Sequence, residues 1–184
     1  MRVISGSLKG RKLVGYDIEG TRPTMDRVKE SLFASIYSYL DEAVVLDLFA
    51  GSGNLGIEAI SNGASKCYFV DNNKKCISAI KSNLDNFGIM DRAFVLERDY
   101  HNALKYFGDN DIKFDIIFID PPYKYEIKEE LFKLIYEYDI LVGDGIIVFE
   151  YQNDEEVNDS YNFGLIKNKK YGDKYVSIYK RIEN

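Results

Sequence analysis

The chain has 184 residues, 46% of them hydrophobic and 29% charged, with only 3 prolines; this excludes a disordered, collagen-like or low-complexity protein and suits one globular domain with a real core. No stretch approaches the roughly 18 to 20 apolar residues of a membrane span, and the first residues lack the long apolar core of a signal peptide, which points to the cytoplasm. The net charge of -6 argues on its total against a polyanionic partner, but its distribution does not: residues 1–13 carry Arg2, Lys9, Arg11 and Lys12 and no acid, whereas residues 107–159 carry 15 acids against 4 bases.

In chain order, 2–5 and 11–16 read as short strands of a basic hairpin free to project. Thr21 to Thr24 read as a loop, and a helix capped by Thr24 or Asp26 then runs to about Leu40, with Val28, Leu32, Phe33, Ile36 and Leu40 on one apolar stripe. From residue 44 short apolar runs alternate with helical-period segments, the pattern of a mostly parallel sheet built from βα units. The runs at 44–49, 67–71, 93–96, 114–119 and 145–150 predict five strands buried on both faces. Lys74 to Phe87 predicts a helix, with Ile77, Ile80, Leu84 and Phe87 at helical spacing and Gly88 at its C-terminal stop. Residues 163–170 and 174–181 predict an antiparallel hairpin closing the sheet. Its lysines read equally as edge protection or as a second basic surface. The expected fold is thus a doubly wound, Rossmann-like α/β sheet of seven strands with an N-terminal annex, residues 1–43, before the catalytic sheet at 44–184. Cys67, Cys76 and the single His101 cannot make a zinc site of the usual kinds, so both cysteines read as reduced core residues and no metal is expected.

Two segments carry chemistry. After the first strand, Asp47 to Gly56 contains Gly51, Gly53 and Gly56 in the Gly-x-Gly-x-x-Gly spacing that lets backbone approach a ligand at a strand-to-helix turn. Asp71 ends the second strand, 20 residues after Gly51, where a carboxylate can accept ribose hydroxyls. The glycines suit a nicotinamide dinucleotide or S-adenosylmethionine equally. Asp47 favours the second, because a carboxylate inside an apolar strand suits a cationic or hydrogen-donating ligand group and would repel a pyrophosphate.

The second segment is Asp120-Pro121-Pro122-Tyr123, directly after the fourth predicted strand and so at the carboxyl edge of the sheet. The lone pair of an amino group on a nucleobase is delocalised into the ring. Asp120 accepting one N–H and a prolyl carbonyl a second would localise it, while two prolines fix the backbone and Tyr123 offers a face for a flipped-out or single-stranded base.

Together these motifs resemble the class I S-adenosylmethionine-dependent methyltransferases of amino nitrogens. Arg2-Val3-Ile4-Ser5-Gly6, Lys9 to Leu13 and Thr21 to Phe33 resemble the opening of the RsmD family, and the likeness spans essentially the whole chain. It implies methylation of the 2-amino group of one guanine in bacterial 16S ribosomal RNA, inside an assembling small subunit. It also implies that Asp47, Phe49, Gly51, Gly53 and Asp71 hold the cofactor and that Asp99 meets its adenine. The alternative for Asp99, a lone acid at a strand end, is a cap on the next helix. His101 is not taken as a base, because the amino group can release its proton after transfer. Arg2, Lys9, Arg11 and Lys12, with Arg22, are the expected phosphate contacts. With 43 residues before the sheet there is no room for a separate target-reading domain, which favours a structured RNA over duplex DNA. The alternatives are a DNA adenine or cytosine amino-methyltransferase, a nicotinamide oxidoreductase and a non-catalytic RNA-binding module.

Overall fold

The computed structural model describes residues 1–15, 22–121, 127–152 and 158–183. Seven strands form one sheet in the order β3-β2-β1-β4-β5-β7-β6. β1 (Val44–Asp47), β2 (Lys66–Asp71), β3 (Ala93–Glu97), β4 (Phe114–Ile119) and β5 (Leu141–Tyr151) are parallel. β6 (Phe163–Tyr171) and β7 (Lys174–Arg181) add an antiparallel hairpin, with β7 paired to β5 and β6 at the outer edge.

The direction of winding reverses between β1 and β4. Strand succession runs outward from β1 through β2 to β3, then returns to the other side of β1 at β4. That reversal opens a crevice at the carboxyl ends of β1 and β4, where the two flanking loops diverge.

Alternation along the strands sorts the core into two layers. Val45, Phe69, Ile116, Phe118, Val148 and Ile178 face α1 (Arg22–Ser35), α2 (Asn54–Ser61) and α3 (Lys74–Phe87). Leu46, Val70, Ile117, Ile119, Phe149 and Tyr179 face α4 (Tyr100–Asp109) and α5 (Lys128–Glu137). α3 has the predicted bounds, because Asn73 caps its start by accepting from Lys75 N–H and Gly88, at φ +68°, ends it. Both cysteines are free and buried.

Several expectations are corrected. β3 is an edge strand and is not buried on both faces; Phe94 is 45% exposed there and stacks on Tyr68 at 4.6 Å. α1 begins at Arg22, so the expected loop at 22–24 is helical and Asp26 lies inside the helix. The helix stops at Ser35 and a short 3-10 turn, Tyr37–Tyr39, carries the chain to Leu40. The expected Thr24 cap concerns a side chain outside the described residues.

The N-terminal segment forms a single antiparallel bridge, Arg2 with Lys12, in place of two strands, and it lies flat across α2 and α3. Local pairing is too short to hold it, and Glu58 of α2 does so instead. Glu58, fully buried, accepts from the backbone N–H of Ile4 and Ser5 and from the Ser5 hydroxyl, at 2.9–3.1 Å. It is ion-paired with the Lys29 ammonium of α1, at 2.8 Å, and Lys29 also donates to Arg2 O and Asn54 Oδ1. Gly6 fits because a Cβ there would lie 1.9 Å from Ser61 O. Further along, Asn83 of α3 holds Val14 by both its N–H and its C=O.

Burial lowers the Lys29 pKa and Glu58 opposes that shift, so removing the acid leaves a buried cation unpaired. Glu58→Ala is expected to cost about 3–5 kcal/mol, read from urea denaturation. Combining it with Lys29→Met should recover part of the loss; strictly additive losses would show that the two side chains are not coupled.

Candidate active site

The strand-to-helix turn after β1 is held by two carboxylates. Gly51, at φ +57°, donates its N–H to Asp71 Oδ2 at 3.0 Å, and Asp71 Oδ1 accepts from Asn73 N–H at 2.8 Å. Gly53, at φ +86°, precedes the first turn of α2. Gly56 is required by packing: a Cβ there would lie 2.4 Å from Phe69 Cε1 and 2.6 Å from Cys67 Sγ. A Cβ on Gly51 would meet nothing within 4 Å, so open space lies over the turn where a ligand must approach the backbone.

Asp47 is buried, and the donor it faces is part of the protein. Its Oδ2 accepts from Gly56 N–H at 3.0 Å, near the N-terminus of α2. The sequence pattern assigns that donor to a ligand; the helix supplies it because Gly56 brings the α2 backbone against the sheet. One hydrogen bond does not offset burial. Burial pushes the Asp47 pKa up to about 7, with Gly56 N–H opposing and the Asp71 charge adding to the rise.

Phe49 is half-buried, its ring 5.7 Å from that of Tyr100, the first residue of α4. The Tyr100 hydroxyl donates to Glu130 of α5 at 3.0 Å; burial and Glu130 push its pKa up to about 12. His101 stacks on Tyr100 and meets the same Glu130 at 2.6 Å, exposed. Asp99 caps α4, with Oδ1 accepting from Asn102 N–H and Oδ2 from the Asn102 side chain; these bonds hold its carboxyl below the usual range. The capping reading is therefore the one the geometry realises.

Asp120 and Pro121 follow β4 directly, at the crevice beside β1. Pro122 and Tyr123 lie outside the described residues. Burial and the neighbouring Glu150 raise the Asp120 pKa well above the usual carboxylate range, against Lys174, with Asp47 adding to the rise. Glu150 and Lys174 do not stand out in the sequence; the signal that finds them is strand register, which brings β5 and β7 alongside β4.

Of the basic residues, Arg2 pairs with Asp26 at 3.3 Å and Arg11 lies over the Phe87 ring, donating to Asn86 O at 2.6 Å. Lys9 and Lys12 are exposed on the same segment. Arg22 opens α1, and its side chain lies outside the described residues.

The sequence model of the family described as "Conserved hypothetical protein 95" matches residues 1–180. Ribosomal RNA small subunit methyltransferase D of Haemophilus influenzae is 36% identical over 94% of this chain and 89% of its own length. The chain belongs to the small-subunit methyltransferase D family. The "Putative rRNA methyltransferase YlbH" of Bacillus subtilis is 44% identical over 98% of this chain and 99% of its own length. Among solved structures, the "Putative methyltransferase yhhF from Escherichia coli" superposes with a TM-score of 0.86 at 28% identity, covering 100% of this chain and 99% of that one.

The buried Asp47 carboxyl has a consequence for stability. Folded Asp47 retains its proton up to about pH 7, whereas the unfolded group loses it near its ordinary 3.8. Between those values the folded state binds more protons, so stability falls as pH rises through that window. Asp47→Asn is expected to remove this contribution, on the order of 2–4 kcal/mol. Urea unfolding at pH 5 and pH 8 checks it: the variant should gain over wild type at pH 8 and lose more than half of that advantage at pH 5, whereas parallel curves would show that Asp47 does not titrate there.

Proposed function

We propose that this chain transfers a methyl group from S-adenosylmethionine to the exocyclic 2-amino group of a guanine in small-subunit (16S) ribosomal RNA, acting as one catalytic unit. The observation that carries the reading is Asp120 at the carboxyl end of β4, beside the glycine turn of β1, in a chain whose relatives are named rRNA methyltransferases.

The residues present fit the cofactor. Open space lies over Gly51, and the half-buried Asp71 carboxylate stands next to it. Asp47 and Asp120 have raised pKa values where burial leaves their charge poorly compensated, which favours a cationic ligand and disfavours a pyrophosphate. In this reading Asp71 takes the ribose, the Gly51–Gly53 backbone lies along the ligand, and Phe49 with Tyr100 walls one side. Asp99 meets the adenine amino group with a carboxylate that already accepts two bonds from Asn102. When bound, the cofactor supplies an electrophilic methyl group on a positively charged sulfur.

The chain's own part is to make a poor nucleophile competent. Ionised Asp120 accepts one N–H of the guanine amino group and the Pro121 carbonyl a second, which turns the lone pair out of the ring as positive charge develops on nitrogen. Pro122 and Tyr123 complete the motif, the tyrosine as a stacking face. The product proton leaves after transfer, so no dedicated base is required, and His101 on the outer side of α4 is not used.

RNA docking is assigned to the N-terminal segment. Because Arg2 and Arg11 are engaged with the protein, the exposed Lys9 and Lys12 are the main phosphate contacts, with Arg22 at the start of α1.

Labelled S-adenosylmethionine with small subunits from a strain lacking the modification, followed by nucleoside mapping, tests the activity. N2-methylguanine is expected; label in DNA or hydride transfer to NAD would overturn the assignment. Asp120→Ala should lower turnover about 100- to 1,000-fold while calorimetry shows unchanged affinity for S-adenosylhomocysteine. Near-normal methylation by that variant would remove Asp120 from the mechanism.

Salt dependence tests docking. Reversing Lys9 and Lys12 to Glu should weaken RNA binding and flatten its logarithmic salt slope by about one for each phosphate no longer neutralised. An unchanged slope would shift the docking surface to the lysines of β6.

A further inference from the structure

Four neighbouring strands place ionisable side chains on one face of the sheet at its carboxyl edge. Ile119 of β4 is in register with Phe149 of β5, and both face the α4–α5 layer. The next pair, Asp120 and Glu150, therefore stands side by side on the opposite face. Glu150 is opposite Val176 of β7, and Lys174, two residues earlier, projects from the same face diagonally across from Glu150. Asp47 of β1 belongs to this face as well, because Val45 two residues before it does.

Lys174 is the cation of this group. Its ammonium lies 2.5 Å from Glu150 Oε1, with the two side chains only 29% and 13% exposed, so solvent screens them weakly. Burial alone would lower the Lys174 pKa, but Glu150 and Asp120, with Asp173 in the hairpin turn, more than offset it and the group stays charged. Among the described residues, the charged groups acting on Asp120 are Glu150, Lys174 and Asp47, and of these Lys174 alone favours its ionised form.

We propose that Lys174, held in place by Glu150, is a positioning residue that keeps Asp120 a charged, hydrogen-bond-accepting carboxylate at the methyl-transfer site. This rests on the function proposed above. Without the ammonium, three carboxyls share one poorly hydrated edge, and the least costly adjustment is for Asp120 to take up a proton. Protonated Asp120 is a donor at the oxygen where the amino N–H needs an acceptor. Glu150 is then the brace that fixes where Lys174 sits, and it sits outside the glycine turn and the Asp120 motif.

The decisive measurement does not depend on turnover. Carboxyl carbon NMR of the full-length protein, with the Asp120 resonance assigned through Asp120→Asn, gives its titration midpoint. Lys174→Met is expected to raise that midpoint by about one pH unit or more, and Lys174→Arg to restore most of it. Glu150→Gln should lower it, by removing a like charge and releasing Lys174 toward Asp120. An unchanged midpoint in Lys174→Met overturns the proposal. Should that variant not fold, Glu150→Gln decides: a lower midpoint supports the coupling and an unmoved one overturns it.

The pH–rate profile adds the functional arm. The acidic limb of methylation should move upward in Lys174→Met by the same amount as the NMR midpoint, with turnover recovering at high pH and the KM for cofactor unchanged. A uniform loss of rate at every pH would reveal a merely structural lysine and overturn the proposal. If wild type methylates no ribosomal RNA while the NMR shifts hold, the functional reading fails and the coupling of Lys174 to Asp120 stands by itself.

Discussion

The close approach of α2 to the sheet is the constraint from which the rest of the structure follows. Gly56 lies where any side chain would collide with Phe69 and Cys67, so the helix backbone sits against β1 and β2, and its N–H reaches the buried Asp47. That approach sets the direction in which the chain leaves β1, which in turn aims Gly51 N–H at Asp71. The other end of the same helix gathers the N-terminal segment through Glu58 and Ser61. One short helix therefore joins the ligand-facing turn to the basic segment that precedes α1. Displacing it would disturb both.

The carboxyl edge illustrates how a site departs from what stability alone would select. Asp47 and Asp120 are acids whose burial disfavours their charged forms, and Glu150 adds a third carboxylate within the same face. Hydrophobic residues of similar size would fold at least as well there. Retaining acids at the reversal of strand order leaves poorly compensated carboxyls beside the backbone donors of the turn, an edge that suits a cation better than an anion.

The N-terminal segment shows where local reading misleads. Residues 2–5 and 11–16 have the alternation of a hairpin, yet among the described residues one bridge, Arg2 with Lys12, forms. Among the segment's backbone donors, Ile4 and Ser5 go to Glu58, more than fifty residues away, and Val14 goes to Asn83, which nothing in the local pattern marks as a partner. The same distance effect reassigns Asp47: its isolation in an apolar strand is legible, but whether a ligand or a helix N-terminus answers it depends on how near α2 can come. At Asp99 two readings are available, and the Asn102 bonds realise the cap. β3 reads as a buried strand because its apolar residues match the others, but among the described residues it is the edge of the sheet.

What the sequence by itself determined is what depends on neighbours within a few residues. The strand periods from residue 44 on, the span of α3 with Gly88 at its end, the glycine turn after β1 and the Asp120-Pro121 step after β4 are all set by local sterics and hydrogen bonding, and each stands close to where it was expected. Only the tertiary structure decided strand order, which strand became an edge, the docking of residues 1–15 and the meeting of Asp120 with Glu150 and Lys174. Those depend on register between segments as far apart as β4 and β7. Register is chosen by packing of whole faces against α1 to α5, because a one-residue slip would turn every buried side chain of a strand to the opposite layer.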